Sequence, residues 1–147
     1  MSVFLRAAFA ALVMVPLALA QAEAGARHRL ALQISDDDTA KMNAVLNVAA
    51  NVSKYYADKG DEVEIQIVAF NAGIAMLRQD KSPVLTRLKS FNQGMPNVEF
   101  KACQNTLDAI ARKDGHEPPL VENAERVPAG VVTLIELQEK GWTIVRP

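Results

Sequence analysis

Short apolar runs alternate along this chain with longer segments whose apolar residues recur every three or four positions. Arg29 to Ser35 is one such run, closed by Asp36, Asp37 and Asp38. Met42, Val45, Leu46, Ala49, Val52 and Tyr56 then share one helical face, and Gly60 after Lys59 supplies a stop that accepts a left-handed backbone. Val63, Ile65 and Ile67 alternate and continue into Val68-Ala69-Phe70, a second strand that Asn71-Ala72-Gly73 breaks. A short helical turn is expected over Ile74 to Leu77. Ser82-Pro83 predicts a helix start, by capping and by proline's fixed φ, with Val84, Leu88 and Phe91 inward and Gly94 and Pro96 as its end. Val98 to Ala102 reads as a third strand, and Leu107 and Ile110 mark the inner face of a helix after Cys103. Asp114 to Asn123 carries two prolines and reads as a loop. Arg126-Val127 is a brief fourth strand. Val131, Leu134, Ile135 and Gln138 form a last helix, supported by a Glu136–Lys140 pair and stopped by Gly141, and Trp142 to Val145 is the final strand.

Strands separated by helices predict an α/β domain: a mainly parallel five-stranded sheet with helices on both faces, a three-layer sandwich. Residues 25–147 are long enough for one such domain and too short for two. Ligands and reactive groups in these sheets gather beyond the carboxyl ends of the strands. Here those ends are Ser35-Asp36, Asn71-Ala72-Gly73, Cys103-Gln104-Asn105 and Pro128-Ala129-Gly130, so a parallel sheet puts all four segments on one edge.

The N-terminal residues read differently. Arg6 precedes a run from Ala7 to Ala20 that is shorter than the about 20 apolar residues a membrane-spanning helix requires. Ala18-Leu19-Ala20 and Ala22-Glu23-Ala24 both fit a small-x-small cleavage pattern, so residues 1–24 read as a secretory signal peptide. Its removal after Ala20 or Ala24 would deliver a periplasmic or secreted product with no membrane span; the alternative is an uncleaved anchor or a flexible apolar tail. The net charge of −1, without a basic stripe, argues against nucleic acid as a partner.

Cys103 is the only cysteine. Exported proteins usually pair their cysteines, and a lone thiol cannot form an internal disulfide. Two readings stand. At the start of a helix, a cysteine faces unpaired amides and the positive end of the dipole, which favour the nucleophilic thiolate. Asn105 and Thr106 would then donate to a bound sulfur anion, beside the amides of Gln104 and Asn105. Otherwise the thiol is a small buried apolar group lining the wall of a ligand cleft. No second cysteine is present to resolve an intermediate, so a dithiol oxidoreductase is disfavoured, and His116 reaches the thiol only if its loop folds back.

Other candidates point to structure. The aspartates before Thr39 lack the alternating spacing of a phosphotransfer motif and read as a helix cap. His28, near the start of the domain, reads as exposed, and the two histidines lack metal-ligand spacing. No metal site and no cofactor is implied. Asn51-Val52-Ser53 matches a glycosylation sequon but falls mid-helix. Asn43, Asn47 and Asn51 form a stripe expected to face solvent or another subunit.

The segments Val98-Glu99-Phe100-Lys101-Ala102-Cys103-Gln104-Asn105-Thr106-Leu107, Val127-Pro128-Ala129-Gly130-Val131-Val132 and Leu137-Gln138-Glu139-Lys140-Gly141-Trp142-Thr143-Ile144 carry a resemblance. In order and spacing they are similar to the DsrE/DsrF-like family, in particular its exported bacterial branch. Asn71-Ala72-Gly73-Ile74 falls where that family has a loop after its second strand. The likeness runs from about Arg29 to Pro147. It implies a compact α/β fold and a homo-oligomer, a trimer or hexamer. It also implies a cysteine that carries sulfur as a persulfide, received from a donor or passed to an acceptor protein, with Cys103 in that role and Asn71, Gly73, Gln104, Asn105 and Thr106 around the ligand. The alternative is a non-catalytic oligomeric module that binds a small ligand at the same strand ends. The wide apolar face of the last helix (Val131, Val132, Leu134, Ile135, Leu137) supports assembly in either case.

Overall fold

The computed structural model describes residues 25–147; the signal-peptide assignment therefore lies outside the described residues. Five strands, β1 (Arg27–Ile34), β2 (Glu62–Ala69), β3 (Val98–Cys103), β4 (Ala124–Val127) and β5 (Thr143–Val145), form one sheet in the order β4-β3-β2-β1-β5. Every pairing is parallel. The helices are α1 (Thr39–Lys59), α2 (Leu85–Gly94), α3 (Gln104–Asp114) and α4 (Gly130–Glu139), with a 3₁₀ segment over Asn71–Leu77. This is the expected α/β sandwich, of flavodoxin-like type.

The strand order decides where the helices lie. From β1 to β4 each connection steps to the next strand in one direction, and right-handed crossovers then put α1, α2 and α3 on one face. The β4-to-β5 connection returns across the sheet to the far side of β1, so α4 lies on the other face. The two hydrophobic clusters follow this division. Met42, Val45, Leu46, Leu88, Phe91 and Leu107 meet Leu32, Ile34, Ile65, Ile67 and Phe100 on the first face. On the second, Leu134 and Leu137 of α4 meet Ala31, Val68, Phe70 and Cys103. Burying each large side chain of this kind stabilises the fold by about 1.5–3 kcal/mol.

Local chemistry sets the boundaries. Asp38 caps α1, its carboxylate accepting the Lys41 N–H at 3.0 Å, and Gly60 ends the helix at φ 78°. Gly141, at φ 83°, turns the chain from α4 into β5. Ser82-Pro83 does not open α2. The helix begins at Leu85 with Val84 at its N-cap and no side-chain cap, because Ser82 Oγ instead accepts the Val84 N–H at 3.3 Å within the preceding turn. The expected Glu136–Lys140 ion pair does not form: Lys140 lies beyond the end of α4, and its amide bonds the Glu136 carbonyl. The asparagine stripe has an internal partner. Arg87 of α2 donates to Asn43 Oδ1 at 2.6 Å and to Asn47 Oδ1 at 2.8 Å, fastening α2 to α1. His28 is not simply exposed either. Its ring stacks on Tyr56 at a centroid distance of 3.8 Å, and its Nε2 lies 3.5 Å from an Asp61 carboxylate oxygen.

Candidate functional site: the Cys103 cleft

All strands being parallel, their carboxyl ends meet at one edge, and a cleft of about 690 Å³ opens there. Asn71 and Ala72 border it from the end of β2, Cys103, Asn105 and Thr106 from the β3–α3 junction, and Ala129 and Gly130 from the start of α4. Asp37, after β1, completes the ring of strand ends.

Cys103 is the last residue of β3 and the N-cap of α3. As a residue it is only 5% exposed, yet it forms part of the cleft wall. Burial alone pushes its thiol upward. The Thr106 hydroxyl and the backbone N–H groups of Gly130, Thr106 and Asn105 act the other way and prevail, so the thiol ionises below its ordinary value of 9.0. No side-chain capping hydrogen bond closes on the helix, and the Asn105 N–H bonds the Pro128 carbonyl at 3.3 Å. The Asn105 amide therefore acts on the sulfur chiefly as an oriented dipole.

Thr106 is placed by Asn71. The Asn71 N–H donates to Thr106 Oγ1 at 3.0 Å, which occupies a lone pair of the hydroxyl and leaves its proton free for the sulfur. Asn71 holds φ at 49°, a left-handed conformation that asparagine tolerates better than most side chains. The turn after β2 thus orients a donor in α3.

The remaining expected residues divide. Asn105 and Thr106 border the cleft, as does Asn71. Gln104 turns away: it donates to Asp108 Oδ1 at 2.7 Å and accepts from Arg126 at 3.2 Å, and those bonds hold it outside the cleft. Gly73 is behind the wall, where a Cβ would meet the Ile34 carbonyl oxygen at 2.4 Å, so it serves the close approach of the 3₁₀ segment to β1. His116 bonds the Asp114 carbonyl and lies outside the cleft lining, so it is no base for the thiol. Two contributors were not singled out from the sequence. Gly130 brings an amide to the sulfur from another helix, pressed so close to Phe70 that a Cβ would lie 2.9 Å from that side chain. Arg78, buried against Asp80, also lines the cleft. Gly130 was expected at this edge within Pro128-Ala129-Gly130, though not as a donor to the sulfur; nothing local marks Arg78.

No family model matches the chain, and no curated protein matches it. Among solved structures, the chain is similar to the protein of unknown function MTH1491 from Methanobacterium thermoautotrophicum. The two are 29% identical with a TM-score of 0.67, over 82% of this chain and 99% of the other.

Proposed function

We propose that this protein is an exported, DsrE-like sulfur carrier that holds sulfur as a persulfide on Cys103. The observation that carries the reading is the thiol itself: a sole cysteine at a cleft wall whose ionisation is favoured, despite burial, by a hydroxyl and three amides from two helices. The small-x-small pattern before residue 25 supports a periplasmic or secreted location. In the step proposed, the Cys103 thiolate attacks the outer sulfur of a donor persulfide. The donor's S–S bond breaks, a new S–S bond forms on Cys103, and the donor leaves as its thiolate with the bonding electron pair. No external oxidant is needed. The same donors that favour the thiolate favour the terminal persulfide anion, which an acceptor thiol can attack in turn.

Incubation of the purified protein with a low-molecular-weight persulfide, followed by intact-mass measurement, tests this. The expected result is one added sulfur on the native chain and none on Cys103→Ser. An equal adduct on both, or none on either, ends the proposal.

A second reading has its own support. Val131, Val132 and Ile135 of α4 stand about half exposed, and Val131 borders the cleft, as an assembly surface would. In that reading the protein is a homo-oligomeric binding module and Cys103 only lines its wall. A thiol that resists alkylation in the native state and reacts after unfolding would favour it.

A further inference from the structure

The cleft that Cys103 lines also holds a fixed cation. Arg78 follows the 3₁₀ segment, and its side chain is 6% exposed. Asp80 holds it in a bidentate grip, Nε to Oδ1 at 2.9 Å and Nη2 to Oδ2 at 2.6 Å. The backbone is held as well, through a bridge between Arg78 and Leu120. Nη1 finds no acceptor among the described residues, although the residue belongs to the cleft wall. A guanidinium fixed at two nitrogens and left open at the third is pre-organised to receive an oxygen anion. Lys81 and Lys113 border the same cleft, are exposed, and make no ion pair among the described residues. Asp37 and Asp114 border it too, and Asp80 neutralises Arg78. Net charge is therefore not the argument. The argument is a buried, directional donor that shares one cleft with two free ammonium groups and with Cys103.

We propose that Arg78, with Lys81 and Lys113, binds the anionic group of the cleft's ligand, so that the protein selects small molecules carrying a carboxylate or another oxyanion at one end and reactive sulfur at the other. The selection of a sulfur compound rests on the sulfur-carrier reading; the oxyanion site does not. Arg78 orients the ligand rather than reacting with it. A neutral ligand would leave Nη1 to water and lose that contact.

Sulfate is the probe, titrated into Cys103→Ser at constant ionic strength against chloride and followed by backbone amide NMR. Saturable shifts confined to the amides of Asn71, Ala72, Arg78 and Asn105 are expected, with affinity at least about fivefold weaker in the Lys81→Gln/Lys113→Gln double variant. Shifts that spread over the surface without saturating, or an unchanged affinity in the double variant, overturn the inference. A second arm reads the intact thiol: relative to a small free thiol, Cys103 should prefer iodoacetate over iodoacetamide, and Arg78→Lys or the double variant should lessen that preference. A ratio equal to that of the free thiol also overturns it. Because the first arm uses a chain without the thiol, loss of the persulfide chemistry and loss of the oxyanion site are told apart.

Discussion

At the residue scale, Thr106 has two partners, and they are not interchangeable. Its oxygen accepts the Asn71 N–H, and its proton remains for the sulfur. Thr106→Val removes the donor, and the alkylation midpoint of Cys103 should move to higher pH, with the rate at neutral pH several-fold lower; Thr106→Ser should restore both. The same shift enters stability with a definite sign. An acid whose folded pKa lies below its unfolded value contributes stability that is complete above the unfolded value and is lost as pH falls through the folded one. The margin of the native chain over Thr106→Val should therefore widen as pH rises towards 9.0, the thiol's ordinary value, and shrink in acid. Urea melts across that range read it. A margin independent of pH would mean that Thr106 acts only through Asn71. The place of Cys103 was legible because a strand-to-helix junction is a local pattern. The direction Gln104 takes was not, since its partner Arg126 lies 22 residues away on β4.

At the scale of elements, the cleft depends on how closely the 3₁₀ segment lies against the end of β1. Gly73 makes that approach possible, because a Cβ there would press on backbone atoms of Ile34 and Ser35, which cannot yield as a side chain can. Gly73→Ala should destabilise the domain by about 1–3 kcal/mol, measured by chemical denaturation, and should also disturb the Asn71–Thr106 contact. A stable variant with unchanged thiol reactivity would show that the segment moves freely. Most element boundaries were legible to within a few residues, because apolar periodicity and glycine stops are local signals. The start of α2 was not: Ser-Pro is as good a turn as a cap, and here the Ser82 hydroxyl closes a turn onto the Val84 N–H instead of capping the helix. The asparagine stripe likewise carried no sign that Arg87, 40 residues beyond Asn47, would cover part of it.

At the scale of the whole molecule, among the described residues three helices cover one face of the sheet and α4 alone covers the other. Leu134 and Leu137 of α4 point inward, while Val131, Val132 and Ile135 remain about half exposed. An apolar surface of this kind beside a cleft suits contact with a second copy. Light scattering at micromolar concentration should find an oligomer, and Val132→Glu/Ile135→Glu should reduce it to a monomer with unchanged melting of the separated domain. A native chain that is already monomeric would remove assembly from the proposed function. None of the helices among the described residues is long and apolar enough to cross a membrane.

The amino-acid order by itself determined the alternation of strand and helix, hence a parallel sheet, hence the meeting of four strand ends at one edge with Cys103 among them. Those are consequences of short-range periodicity and of crossover geometry, which need no knowledge of distant partners. Only the tertiary structure decided that Gly130 brings an amide to the sulfur, that Asn71 sets the Thr106 proton free, and that Arg78 faces the same cleft. Each of those facts joins groups far apart in the chain, and no local pattern encodes which of many polar side chains the packed sheet will bring within reach of one another.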